Sequence, residues 1–156
     1  MGLRDALRKG DDDAGLRRIL VATDRSETAE HAVRFAADMA VRFEAELLLC
    51  QVVVPPAETA PNAKEELLDY GQGFVGDLAR AVIATGDDPG QAIVDAAEAE
   101  DADVVVVGNV GMSGRKEFLL GNVPNRVSHN SDRTVIIVNT RQRIEQQQRK
   151  RGLFSR

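Results

Sequence analysis

The strongest chemical signal in the chain is a set of glycines that follows a β-branched run. Val104 to Val107 form an unbroken valine run that ends at Gly108. Gly111 and Gly114 follow closely, then Gly121, Asn122, Val123 and Pro124. A β-branched run of this kind suits a strand buried on both faces, as in a parallel sheet. Asn ahead of an apolar segment is a helix N-cap signal, and proline is tolerated in the first helical turn. The stretch therefore reads as strand, glycine-rich loop and helix start. That arrangement offers backbone N–H groups and the positive end of a helix to an anion, so it could cradle the phosphates of a nucleotide. The plainer alternative is that the glycines only turn the chain. The spacing, G-x2-G-x9-G from Gly108 through Gly111 to Gly121, is neither a P-loop nor the G-x-G-x-x-G dinucleotide fingerprint.

Other chemistries find little support. His31 is placed on the polar face of its expected helix and His129 near the end of another. Neither has a Cys or His neighbour at ligand spacing, so no metal site is expected. Asp11, Asp12 and Asp13 are adjacent rather than spaced as a calcium loop. Ser26, Ser113 and Ser128 have no recognisable base, and no nucleophile elbow occurs. The single cysteine, Cys50, lies in an apolar strand and reads as a small core residue. No residue is assigned a catalytic role. A nucleoside triphosphate bound without a positioned base or arginine finger should hydrolyse slowly.

Composition bounds the class. The chain has 156 residues with formal net charge -5, 43% hydrophobic and only 4% aromatic residues. That length suits one domain with a core of Ala, Val, Leu and Ile. The acidic balance argues against broad nucleic-acid binding. No apolar run reaches the ~18 residues of a membrane span, and the N-terminus has no signal-peptide core. A cytoplasmic protein with no nucleic-acid or membrane partner is expected.

The elements that must position the glycine loop alternate in type. Residues 1–16 read as a solvated arm. Ile19 to Ala22 begin a first strand, and Thr23 to Ser26 turn into a helix capped by Ser26, with Glu27 and Glu30 at its positive end. Its small apolar residues, Ala29, Ala32, Ala36 and Ala40 among them, recur at helical spacing. Leu47 to Val54 form a second strand ended by Pro55 and Pro56. Lys64 to Tyr70 could be a helix, but Gly71, Gly73 and Gly76 make its continuation costly. Leu78 to Ala84 read as a third strand, Gly86 to Gly90 as a turn, and Asp88 with Pro89 as a helix start. A helix from about Val123 to Asn130 leads to a last strand, Thr134 to Asn139. Residues 141–156 form a basic, glutamine-rich tail. Strands alternating with helices indicate a parallel, doubly wound, Rossmann-like α/β sheet of five strands with helices on both faces.

The G-x2-G-x9-G spacing resembles the ATP-binding motif of the universal stress protein family, which continues with Ser or Thr. The resemblance also covers RILVATDRSETAEHAVRFA, GDDPGQAIVDAAEAEDADVVVVG and TVIIVNT, roughly residues 17 to 140 in order. It implies a strand order of 3-2-1-4-5, ATP or AMP as the ligand, and Mg²⁺ carried on the phosphates. It also implies a homodimer through the last strand. Strands one and four would then flank the point where strand order reverses, with Asp24 and Gly108 facing one crevice. By resemblance Asp24 matches a nucleotide-contacting aspartate; from the residues alone it is equally a second helix cap. Ala22 stands where the family often has proline at the adenine edge, and Val52 where the backbone meets adenine. Val107 and Gly108 match positions flanking the ribose, and Gly111, Gly121, Asn122 and Val123 match phosphate contacts. Asn122 departs from the family's Ser or Thr. Arg115 and Lys116 could add charge to the phosphates or simply face solvent. Two rival readings stand beside nucleotide binding: a slow ATPase or phosphotransferase, and a same-fold interaction module without nucleotide.

Overall fold

A computed structural model describes residues 15–109, 122–140 and 151–152. Five parallel strands form one sheet in the order β3-β2-β1-β4-β5: β1 (Arg18–Ala22), β2 (Glu46–Val53), β3 (Ala79–Thr85), β4 (Val104–Gly108) and β5 (Thr134–Val138). Between them run α1 (Glu27–Phe43), α2 (Ala63–Val75), α3 (Pro89–Ala99) and α4 (Asn122–Asn130), with a single 3₁₀ turn at Gly76–Leu78. The doubly wound sheet and the order 3-2-1-4-5 are as the sequence indicates.

The continuous apolar strands serve two cores, because successive side chains leave a strand on opposite faces. Ile19, Val21, Leu47, Leu49, Val104 and Val106 pack under α1 and α2. Leu20, Leu48, Cys50, Val105 and Val107 pack under α3 and α4, against Ile93, Ala97 and Val127. Each such Leu, Ile or Val, fully buried, contributes about 1.5–3 kcal/mol. Burial, with the Glu100 carboxylate adding to it, pushes the Cys50 thiol up to about 12. The thiolate is therefore not populated near neutral pH, in keeping with a core role.

The α1 helix lies close to the sheet because Ala32, Ala36 and Ala40 line its buried face. The Ser26 hydroxyl caps it, accepting the Ala29 N–H at 3.1 Å. His31 is a correction to the sequence reading: it is only 9% exposed and sits on the buried side of α1. The apolar alanines fix a stripe wide enough to take in its neighbour at position 31.

The α2 helix is the second correction. It runs through Gly71 and Gly73 to Val75, rather than stopping at Tyr70. Gly71 is buried, and a Cβ there would stand 2.3 Å from Leu49 Cδ1 and 3.2 Å from Ala79 Cβ. The missing side chain is a packing requirement, which outweighs the helix-propensity cost. Gly76, at φ +56°, ends the helix in a conformation suited to glycine. The third strand consequently starts one residue later, at Ala79. Gly90, expected in a turn, lies inside α3.

The amino ends of the strands are stitched by charges. Arg18 pairs with Glu46 (3.4 Å) and Asp101 (3.6 Å), Arg80 with Glu46 and Glu100 (both 3.2 Å), and Arg133 with Asp101 (3.0 Å). These pairs are solvent-exposed, so each contributes little alone. They lie at the end of the sheet opposite the glycine loop.

Candidate functional site

The site is built where β1 and β4 end side by side. Their ladder runs from Ile19↔Val104 to Val21↔Val106. Asp24 lies just beyond the end of β1, and Gly108 closes β4. Strand order reverses here, since β2 lies on the far side of β1 and β5 on the far side of β4. A doubly wound sheet opens its ligand crevice at such a point.

The turn after β1 is held by its own side chains. The Thr23 N–H donates to the Cys50 carbonyl at 2.9 Å, carrying the β1–β2 pairing past the end of β1. Thr23 is fully buried, and its Oγ1 accepts the Arg25 N–H at 2.9 Å. Asp24 Oδ1 accepts the Ser26 N–H at 2.9 Å. These bonds hold Arg25 at φ +63°, a conformation that costs a non-glycine residue about 1–2 kcal/mol. The Arg25 guanidinium reaches across to Glu66 on α2 at 3.6 Å. Asp24 thus takes neither role outright: Ser26 alone caps α1, and Asp24 braces the turn through one oxygen. A carboxylate has acceptor sites on both oxygens, so Oδ2 remains for a hydroxyl or amino group in the crevice.

The neighbouring strands present the remaining described candidates. Ala22 is buried beside Cys50 at the end of β1. Val52 is half-buried near the end of β2, paired with Ala84. Val107 is buried to 2% and Gly108 is half-buried. The ends of β1, β2 and β4 therefore bring together Ala22, Asp24, Val52, Val107 and Gly108. Gly111, Arg115, Lys116 and Gly121 lie outside the described residues. Asn122 is the first residue of α4, and Val123 is half-buried against the core under α3 and α4.

The seat of α4 is set by α3. Arg126 Nε donates to Asp88 Oδ2 at 2.7 Å, and a second guanidinium nitrogen pairs with the same oxygen. Asp88 also caps α3, its Oδ1 accepting the Gln91 N–H at 3.2 Å. The Gln91 amide first, then the Arg126 guanidinium, hold the Asp88 carboxyl below its usual range. Gly90 lies under Arg126, where a Cβ would fall 2.6 Å from the Arg126 Cβ. Asp88 and Pro89 were legible as a helix start. The tie to Arg126 was not, because it joins residues 38 positions apart. Thr23 and Arg25 were also passed over as working residues; a Thr-Asp-x-Ser run directly after a strand is the signal that marks such a braced turn.

Among the described residues no group of three His, Cys, Asp or Glu could hold a metal ion. No described helix is long and apolar enough to cross a membrane. What the described crevice offers is an acceptor carboxylate facing a glycine at a strand end, flanked by apolar walls. That donor and acceptor set fits the base and ribose of a nucleotide.

Comparison with known proteins agrees with this architecture. The universal stress protein family model matches residues 15–139. The universal stress protein Rv1636 of Mycobacterium tuberculosis is 32% identical over 145 residues, covering 78% of this chain and 95% of that protein. Among solved structures, a universal stress protein in complex with cAMP superposes with TM-score 0.65 at 31% identity, over 81% of this chain and 99% of the other. The universal stress protein from Archaeoglobus fulgidus in complex with dAMP (TM-score 0.58, 23% identity, 79% of this chain and 98% of that one) shares the fold. The chain belongs to the universal stress protein family.

Proposed function

We infer that this chain binds an adenine nucleotide, ATP or AMP, in the crevice between the ends of β1 and β4. It acts as a small regulatory protein rather than a catalyst. The observation that carries this reading is the adjacency of Asp24 and Gly108 at the reversal of strand order. The relative solved with cAMP supports the same ligand class. In this reading Asp24 accepts from the ribose or the adenine amino group. The backbone of Val52, with Ala22 beside it, lines adenine, and Val107 and Gly108 flank the ribose. Gly111, Gly121, Asn122 and Val123 meet the phosphates through backbone N–H groups and the start of α4, with Arg115 and Lys116 nearby in sequence. Mg²⁺, when present, rides on the phosphates. The reading is tested by denaturing the freshly purified protein and analysing the released small molecules by mass spectrometry. ATP or AMP in near-stoichiometric amount is expected. A protein that releases none and binds none when supplied would contradict it.

Asn122 distinguishes the two nucleotides. Its carboxamide can donate to a phosphate oxygen, but its carbonyl oxygen repels one if turned inward. ATP should therefore bind with a reduced preference over AMP. One hydrogen bond to a charged group is worth about 1.5–3 kcal/mol, so Asn122→Ser should tighten ATP by roughly tenfold and AMP much less. Equal effects on both in calorimetric titrations would remove Asn122 from the outer phosphates.

The last strand carries the proposed self-association. β5 lies at an edge of the sheet, and its Ile137 is 44% exposed. A bare apolar edge is a liability unless it is paired. A two-fold dimer through Thr134 to Asn139 covers it. Sedimentation at tens of micromolar should show the dimer, and a monomer there would rule this pairing out.

A further inference from the structure

Asn109 follows Gly108 directly, at the first position beyond β4. Its N–H donates to the Val138 carbonyl at 2.9 Å, extending the β4–β5 pairing past Gly108↔Val138. Its side chain then takes hold of the chain leaving β5. Oδ1 accepts the Thr140 N–H at 2.9 Å and the Thr140 hydroxyl at 3.1 Å. Nδ2 donates to Asn139 Oδ1 at 3.2 Å. Thr140 is fully buried although it lies beyond the last strand. Only a carboxamide can accept both Thr140 protons and donate to Asn139 at the same time; a carboxylate lacks the donor and an aliphatic side chain lacks both.

This network does more than end a strand. It fixes the backbone at Gly108, the ribose edge in the nucleotide reading, to a segment 31 residues away in sequence. We propose that Asn109 is a positioning residue that links nucleotide occupancy at Gly108 to the chain's exit from β5 at Thr140. The proposal rests on the nucleotide reading given above. Binding energy that steadies the Gly108–Asn109 backbone also steadies the Asn109–Thr140 bonds. By thermodynamic reciprocity, loosening those bonds weakens the nucleotide. The two-state element is local: the Thr140 N–H is either held by Asn109 Oδ1 or open to exchange with solvent.

Two measurements on the full chain test this, with AMP as the probe. The first is amide exchange at Thr140 with and without saturating AMP. The second is AMP affinity by calorimetry for the wild type, Asn109→Ala, Thr140→Val, Thr140→Ser and the double variant Asn109→Ala/Thr140→Val. Couplings of this kind correspond to about 5- to 150-fold. AMP is expected to slow Thr140 exchange at least about fivefold. Thr140→Val should weaken AMP by a similar factor, although Thr140 is assigned no nucleotide contact, and Thr140→Ser should restore the affinity. The double variant should bind no worse than Asn109→Ala alone, because both changes break one network. If Thr140→Val does not fold, wild-type exchange and the affinity of Thr140→Ser carry the test. AMP binding that leaves Thr140 exchange and the Thr140→Val affinity unchanged would overturn the linkage and leave the nucleotide reading standing. Failure of both AMP and ATP to bind the wild type would overturn both.

Discussion

Nucleotide binding is expected to be lost when Gly111 is replaced by valine, with the fold intact. In the proposed site Gly111 lets the backbone approach a phosphate oxygen to hydrogen-bonding distance. A branched side chain would occupy that space and hold the phosphate away. Hydrogen bonds to a charged group are worth about 1.5–3 kcal/mol each. Losing two or more of them weakens affinity on the order of a hundredfold at the least. The core should not suffer, because Val104 to Val107, the buried part of β4, precede this position. Calorimetry paired with circular dichroism reads both quantities. A folded variant that binds as the wild type does would reduce the loop to a turn.

The second large effect concerns stability and separates two glycines in one helix. Gly71→Ala is expected to destabilise the protein by about 1–3 kcal/mol, the usual cost of overpacking. An added methyl would stand 2.3 Å from the fully buried Leu49 side chain, with Ala79 behind it at 3.2 Å. Alanine also improves helix propensity by about 1 kcal/mol, so a naive reading predicts the opposite sign. Gly73→Ala isolates that term: Gly73 is exposed and nothing lies within 4 Å of an added Cβ. It should stabilise the protein by up to about 1 kcal/mol. For a domain of this size each kilocalorie moves the melting temperature by roughly 2–4 °C. The two variants should therefore shift it in opposite directions. A rise for both would show that Leu49 repacks freely.

Much of the architecture was legible because the signals were local. Unbroken runs such as Leu47 to Cys50 and Val104 to Val107 marked strands buried on both faces. Ser26 and Asp88–Pro89 marked helix starts at the positions the structure gives them. What stayed hidden depends on contacts between distant residues. Glycines at 71 and 73 look alike in sequence, and only the approach of Leu49 shows that one is a packing requirement. His31 looks polar until the neighbouring alanines carry it under α1. At the site, the glycine spacing pointed to β4 and its loop, and Asp24 was found by its place after β1. Arg126, Asn109 and Thr140 were not legible. Their partners lie 31 or more positions away and belong to no spacing motif.

The most direct test of nucleotide binding between Asp24 and Gly108 is a calorimetric titration of nucleotide-free protein with ATP and with AMP, run beside Asp24→Ala. Saturable binding near one nucleotide per chain is expected for the wild type. Losing the acceptor at Asp24 should weaken both nucleotides by roughly tenfold or more, the value of one charged hydrogen bond. The Ser26 N–H that Asp24 braces is backbone at an exposed turn, so the variant should still fold. Absence of saturable binding to the wild type, or equal affinity in Asp24→Ala, would contradict the account.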